Sequence, residues 1–207
     1  YERTHPSLLK RIQEYAEKFE GTDGARQAIL RFERQMKRYH DYHREILGEE
    51  DFTLFVETLT IEHMNDFREY IKSEYFLRDQ YPDFYAGRLY YNTKRKELSN
   101  TTIINLMNLF CVFLRWCKKM QYSNNDVFER YGCKVPIYGD PFYLTREERN
   151  ILYDADLSDN PKLATIRDIF VFHCYVGYRV GDHYRLTKNN IVEGLIENTP
   201  KKTKKGQ

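Results

Sequence analysis

The stretch that decides the fold runs from Ser99 to Cys117 and reads SNTTIINLMNLFCVFLRWC. Its apolar residues recur every three or four positions, which places them on one face of a helix. They are Ile103, Leu106, Met107, Phe110, Phe113, Leu114 and Cys117. Ser99 is a preferred N-cap residue, because its hydroxyl can accept a hydrogen bond from the first turn. The stretch therefore predicts a long amphipathic helix, and we expect a mainly α fold around it.

Three more helices are predicted between the start of the chain and this helix. Their start signals are Ser7, then Thr22 or Asp23, and then Thr60. Each signal precedes apolar residues at helical spacing, which indicates one buried stripe per helix. Residues 1–137 are therefore expected to form a helical domain.

A domain boundary is predicted near residue 138. The helical pattern lapses over residues 121–141, which contain two prolines and two glycines, as is typical of a linker. We therefore expect residues 138–207 to belong to a second domain.

The second domain is predicted to mix helices with a strand. Thr145 and Glu148 have the spacing of a capping box at a helix start. A further helix is predicted to begin at Pro161 and to end at Gly177; it is apolar on nearly all sides over 163–172 and is expected to be central in its domain. Residues 195–198 then predict a strand.

The charge of the chain is unevenly distributed. The 207 residues include 33 Lys and Arg against 31 Asp and Glu, for a net charge of +2. Residues 86–120 nevertheless hold seven basic residues against one acidic residue, and residues 188–207 hold five against two. Such basic segments indicate contacts with phosphate groups. A solvated loop and a frayed tail would give the same pattern, so both interpretations stay open.

The composition disfavours several classes of protein. The longest apolar run has six residues, against the roughly 18 of a membrane span, so no membrane association is expected. The four cysteines have no disulfide spacing, and we expect them to be buried in a protein of the reducing cytoplasm. The His and Cys residues have no metal-binding spacing, so neither a metal nor another cofactor is expected.

The predicted helix over 99–117 also carries polar residues that suit a DNA partner. Hydroxyls in its first turn can bind phosphates, and amide or basic side chains outside the apolar face can reach phosphates or base edges. The predicted DNA contacts on this helix, just after it and on the basic loop before it are Lys94, Arg95, Lys96, Thr101, Thr102, Asn105, Asn108, Arg115, Lys118 and Lys119. Base readout is assigned to Asn105, Asn108 or Arg115.

A second candidate site lies in the stretch from Val176 to Thr187, which reads VGYRVGDHYRLT. Arg179 comes just after Gly177, which is predicted to end a helix. A guanidinium held at such a junction can donate two hydrogen bonds to a phosphate, and Asp182 can orient it. The same Arg–Asp pair could instead join two helices, and this structural interpretation stays open.

These residues resemble those of the tyrosine recombinases, the phage integrase family, of the kind carried by bacterial mobile elements. The family motif T-G-L-R-x-S/G-E/D, followed by L-T, corresponds to residues 176–187, with Val176 and Tyr178 in place of Thr and Leu. Residues 143–148 resemble the start of its catalytic domain, and residues 98–117 resemble the last long helix of its core-binding domain. The resemblance implies a helical, SAM-like core-binding domain followed by the start of an α+β catalytic domain.

The resemblance further implies site-specific recombination of double-stranded DNA without a cofactor. A tyrosine would attack a backbone phosphate, form a 3′-phosphotyrosine and free a 5′ hydroxyl. Arg179 would stabilise the charge on the phosphate, Lys202 would protonate the leaving oxygen, and Asp182 would orient Arg179. Self-association on DNA and a cytoplasmic, nucleoid-associated location are also implied.

The family's H-x-x-R motif does not occur in this sequence. We therefore expect the chain to be a fragment that is inactive alone, with none of its 18 tyrosines as the nucleophile. Two alternatives stay open. One is a non-catalytic helical DNA-binding protein in which Arg179 is structural, and the other is a helical scaffold for protein interactions in which the basic segments are only solvated.

Overall fold

The computed structural model describes residues 5–89, 96–132, 134–136 and 139–199. Within them the chain is mainly α-helical, as predicted, with one two-stranded sheet. The elements are α1 (Leu8–Glu17), α2 (Asp23–Glu45), α3 (Ile61–Gln80), α4 (Pro82–Tyr85), α5 (Asn100–Lys119), α6 (Val127–Tyr131), α7 (Arg146–Asp154), α8 (Pro161–Val176), α9 (Val180–His183), a 3₁₀ turn (Lys188–Asn190), β1 (Ile191–Val192) and β2 (Leu195–Ile196). Two compact units divide between Gly139 and Asp140. No helix in these ranges combines the length and the apolarity needed to cross a membrane.

The long helices of the first unit begin at their predicted start signals. Ser7, Thr22 and Thr60 each accept a hydrogen bond from the backbone N–H three residues later, which satisfies a donor in the first turn. Thr60 also donates its own N–H to the ring of His63 at 3.1 Å, completing a capping box. Ser99 caps α5 in the same way, at 3.3 Å.

Helix α5 lies in the core of the first unit, where it packs against α1, α2, α3 and α6. Its buried residues are Ile103, Met107, Phe110, Cys111, Phe113, Leu114 and Cys117. The rings of Phe110 and Phe113 lie 5.2 and 6.3 Å from the ring of Phe32 on α2. Phe67 on α3 lies 6.1 Å from the same ring. Aromatic contacts among three helices therefore fix the position of α5 against α2 and α3.

A buried ion cluster, which was not predicted, joins α2 to α3. Glu74 is 3% exposed, and its carboxylate accepts hydrogen bonds from Nε and Nη2 of Arg38 at 2.6 and 3.1 Å. Arg78 Nη2 and the Tyr70 hydroxyl each lie 3.4 Å from the same carboxylate. The Tyr70 hydroxyl also meets that of Tyr85 at 3.1 Å. Burial, and then the nearby Glu74 charge, raise the pKa of Tyr70, so its hydroxyl stays protonated at neutral pH.

Glu14 on α1 is held in its ionised form by its neighbours. Its carboxylate lies 2.7 Å from Lys18 Nζ, 2.6 Å from the Tyr122 hydroxyl and 2.8 Å from Arg11 Nη1. These hydrogen bonds, that of Lys18 first, lower the pKa of Glu14 from 4.5 to about 2. A carboxyl group with a lowered pKa stabilises the fold above its unfolded pKa, and this stabilisation is lost as the pH falls from about 4.5 to about 2.

Glu14→Gln is therefore expected to remove this part of the acid sensitivity. The variant should unfold at a lower urea concentration than the native chain at neutral pH, and the two should converge as the pH approaches about 2. Glu17→Gln on the same helix is the control, because Glu17 forms no ion pair with a described residue. A difference between Glu14→Gln and the native chain that stays constant with pH would contradict this account.

The second unit contains α7, α8, α9 and the β1–β2 hairpin. Thr145 and Glu148 form the predicted capping box at the start of α7, with hydrogen bonds of 2.8 and 3.2 Å. β2 is shorter than the strand predicted over 195–198, and it pairs antiparallel with β1, which was not predicted. Glu193 and Gly194 have φ angles of 50° and 81°. Positive angles at both positions are what a type I′ turn requires.

The expectation that the helix over 163–172 is central in its domain is wrong for the described part of the second unit. Val171 is the buried residue of α8. Five large apolar or aromatic residues of α8 are at least 36% exposed: Leu163, Ile166, Ile169, Phe170 and Tyr175. The composition of the helix is apolar on several sides, but α7, α9 and the hairpin cover only part of it.

The expectation of buried cysteines holds for two of the three that are described. Cys111 and Cys117 are fully buried, and Cys174 is exposed. Burial raises the pKa of the Cys117 thiol to about 12, so this group stays protonated and unreactive. Cys133 lies outside the described residues.

Candidate nucleic-acid interface and arginine motif

One face of α5 carries half of the ten predicted DNA contacts. Spacings of alternately four and three residues align six positions along one side of the helix. They are Thr101, Asn105, Asn108, Val112, Arg115 and Lys119, which we call the α5 face. None of these six residues is buried, whereas the opposite side of the helix packs into the core. At 1.5 Å per residue, the row is about 27 Å long.

Three side chains of the α5 face are available to a partner. Arg115 and Lys119 are exposed and form no ion pair with a described residue. The Arg115 guanidinium lies 5.5 Å from the centre of the Phe128 ring, which supports the side chain without neutralising its charge. The exposed Asn105 side chain makes no hydrogen bond within the described part of the chain. Two exposed cations and one exposed amide can therefore bind an anionic group that also forms hydrogen bonds.

Asn108 has a structural role that was not predicted. Its Nδ2 donates to the Lys134 carbonyl at 2.8 Å, and its Oδ1 accepts from the Lys134 N–H at 3.2 Å. The amide therefore holds the segment after α6 against α5. A base contact by Asn108 would compete with these two hydrogen bonds.

The other predicted contacts of this region differ in their surroundings. Lys118 lies on the flank of α5 that faces α6, with its Nζ 3.2 Å from a carboxylate oxygen of Glu129. The Thr102 hydroxyl is 2.9 Å from that of Ser99 and so belongs to the helix cap. Lys96 is exposed. Three of the predicted site residues lie outside the described residues: Lys94, Arg95 and Lys202.

A cavity of about 510 Å³ lies beside the N-terminal half of α5 and is lined from α3, α5, the end of α6 and the segment after it. Arg68, Lys72 and Lys134 supply its cationic side chains, and none of them was predicted. The four-residue spacing of Arg68 and Lys72 on one helix could have indicated them, but residues 61–85 are acidic overall. Glu69 pairs with both, at 3.0 Å each.

Arg179 lies at the junction between α8 and α9. Gly177 ends α8 in the left-handed conformation, with a φ of 62°, which glycine adopts readily because it has no Cβ. Arg179 is extended and takes the N-cap position of α9. Tyr178, between them, donates its hydroxyl to the Ile196 carbonyl at 3.3 Å and ties the junction to the hairpin. The Arg179 side chain itself is 63% exposed.

Asp182 is shared by two arginines, which differs from the predicted pairing with Arg179 alone. The carboxylate is nearly buried, and one of its oxygens contacts Arg185 Nη2. The other oxygen lies 4.0 Å from Arg179 Nη1. Arg185, which was not singled out in the sequence, is therefore the closer partner and is fixed further by donating to the Gly181 carbonyl at 3.2 Å. Arg179 is loosely held and can donate to a phosphate.

Comparisons with known proteins add no relative to this geometry. No family model, no curated protein and no solved structure matches the chain.

Proposed function

We propose that this chain binds duplex DNA through the α5 face as part of a tyrosine recombinase. The observation that carries the proposal is that the α5 face lies opposite the buried side of the helix, with Asn105, Arg115 and Lys119 exposed. An α-helix is narrow enough to enter the major groove of DNA or to lie along the phosphate backbone. Cations without intramolecular ion pairs can then neutralise phosphates.

We extend this proposal to the two compact units of the chain. The first unit would be the SAM-like core-binding domain, and the second unit would be the start of the α+β catalytic domain. The order of the elements supports this assignment. The capped helix α5 is followed by the Thr145–Glu148 capping box and then by the junction at Arg179, in the order that the resemblance implies.

Arg179 would contact the phosphate at which the DNA strand is cut. A tyrosine oxygen attacks phosphorus, the bond to the 5′ oxygen breaks, and negative charge grows on the non-bridging oxygens. An exposed guanidinium stabilises this transition state more than the ground state, because the charge is larger there. The leaving 5′ oxygen takes a proton, and we assign the role of proton donor to Lys202. No tyrosine of this chain is assigned as the nucleophile.

The double variant Arg115→Gln/Lys119→Gln tests the DNA-binding surface. We expect weaker binding to a fluorescein-labelled duplex in an anisotropy titration repeated over a series of salt concentrations. Each lost phosphate contact makes the plot of log K against log salt shallower by roughly 0.9, so the double variant should lose about 1.8. Glutamine removes the charge but stays polar and is well tolerated in helices, and both positions are exposed, so α5 should keep its fold.

The control is Lys10→Gln/Lys37→Gln, which removes the same charge from exposed positions on α1 and α2. It should leave the salt slope unchanged. Equal effects of the two double variants would show that net charge, and not the α5 face, governs binding. Failure of the native chain to bind duplex DNA at low salt would overturn the proposal and favour the protein-interaction scaffold.

A further inference from the structure

The cavity beside α5 combines apolar and cationic linings. Met107 is buried, and Ile104 and Tyr131 are partly buried at its wall. Arg68 and Lys134 are among the cations that line it. Ligand cavities of roughly 300–1,000 Å³ with an apolar lining and a few polar groups are typical of specific small-molecule sites. The cavity of about 510 Å³ is within this range.

The charges at the cavity favour an anionic group. Glu69 is shared by Arg68 and Lys72, while Lys134 has no carboxylate partner among the described residues. The N-terminal turn of α5 also lines the cavity, through Asn100, and the positive end of the helix dipole adds to the same potential. A ligand that matches both properties has an apolar or planar body and a negative charge at one end.

The cavity is continuous with the α5 face. Thr101 and Asn108 belong to both surfaces. A DNA strand that follows the α5 face therefore passes the cavity, and one DNA molecule can occupy both.

We propose that the cavity receives one unstacked nucleotide of the bound DNA. The base would lie against Ile104, Met107 and Tyr131, and its phosphate would lie near Arg68 and Lys134. This inference rests on the proposed function, since it assumes DNA on the α5 face. Apolar and aromatic side chains hold extruded bases in this manner, and planar arginine and tyrosine groups also stack on them.

An acidic peptide with one apolar side chain matches the same lining. The nucleotide is favoured because the cavity shares residues with the α5 face, so that its ligand is covalently part of a molecule already bound there. The test below therefore includes binding of such a peptide as one of its outcomes.

The test compares two labelled duplexes of the same sequence, one fully paired and one with a single unpaired thymidine. The native chain is expected to bind the duplex with the unpaired base at least about tenfold more tightly, because a base that is already unstacked enters the cavity without breaking a pair. Ile104→Trp fills the cavity at a partly buried position and should abolish this preference while leaving the affinity for the paired duplex unchanged. Lys134→Gln should reduce the preference without filling the space.

The outcomes separate this inference from the proposed function. If neither duplex binds, the proposed function fails. If both duplexes bind equally, only the inference fails. Thermal melting shows whether Ile104→Trp is folded. If the folded variant still prefers the duplex with the unpaired base, the preference comes from bending of that duplex and not from the cavity, and the inference is overturned. Binding of a labelled Asp-Phe-Glu peptide, together with no preference for the unpaired thymidine, would overturn it as well.

Discussion

Glu74→Gln is expected to lower the free energy of unfolding by about 3–5 kcal/mol, the usual effect of removing one partner from a buried ion pair. Arg38 and Arg78 are each 8% exposed, and both contact the Glu74 carboxylate. Glutamine has nearly the same volume, so the cavity term is small. The loss comes from two guanidinium groups that keep their charge without a nearby anion.

The cluster also explains why the loss of unfolding free energy should be near the upper end of the range for a single substitution. The Nε of Arg78 is already buried without a hydrogen-bond partner in the described part of the chain. The Tyr70 and Tyr85 hydroxyls bond to each other, and burial raises the pKa of Tyr85 to about 12, so neither supplies a negative charge at neutral pH. Glu74 is therefore the anion on which the cluster depends.

Urea unfolding followed by circular dichroism measures this loss. Glu69→Gln is the matched control, because it makes the same change on the same helix at a carboxylate that is 55% exposed and pairs with Arg68 and Lys72. Exposed pairs contribute about 0–1 kcal/mol. Similar losses for the two variants would refute a dominant role for the buried cluster.

Arg179→Ala has the largest expected effect on chemistry. In the full-length gene product, we expect the rate of covalent protein–DNA complex formation to fall by roughly 10²–10³-fold, the usual loss when one donor to a developing oxyanion is removed. Affinity for the paired duplex should hardly change, because it is assigned to the α5 face. Arg179→Lys should lose most of the rate as well, since an ammonium cannot donate the two parallel hydrogen bonds of a guanidinium.

A duplex nicked next to the cut site traps the covalent species, and denaturing gels measure its rate of formation. Arg146→Ala is the control, because it removes an exposed arginine from the first turn of α7 in the same unit. Near-normal rates in Arg179→Ala would count against the catalytic assignment. Together with intact duplex binding, they would favour the non-catalytic DNA-binding protein.

Local signals made much of the fold predictable. The caps at Ser7, Thr60 and Ser99 and the box at Thr145 act within three residues, so their chemistry can be read directly from the sequence. Periodic apolar residues likewise predict which side of α5 is buried. The short strand β1 was missed because two residues are too few to show an alternating pattern.

Contacts between distant residues were not predictable. Arg38 and Glu74 are 36 residues apart, and Asn108 and Lys134 are 26 apart, so nothing in the local pattern pairs them. The cavity beside α5 depends on the second of these contacts. The site could therefore be predicted as a helix face with basic residues, but not as a face with a cavity next to it.

The sharing of Asp182 by two arginines bears on the proposed contact between Arg179 and a phosphate. A buried carboxylate that loses its single cation is strongly destabilised, which would oppose any movement of that cation. Here Asp182 also contacts Arg185, so it would keep a cationic partner if Arg179 moved to a phosphate. The junction thus separates two tasks that one arginine could not perform together: Arg185 keeps the acid neutralised, and Arg179 is free to exchange a distant carboxylate for a ligand oxygen.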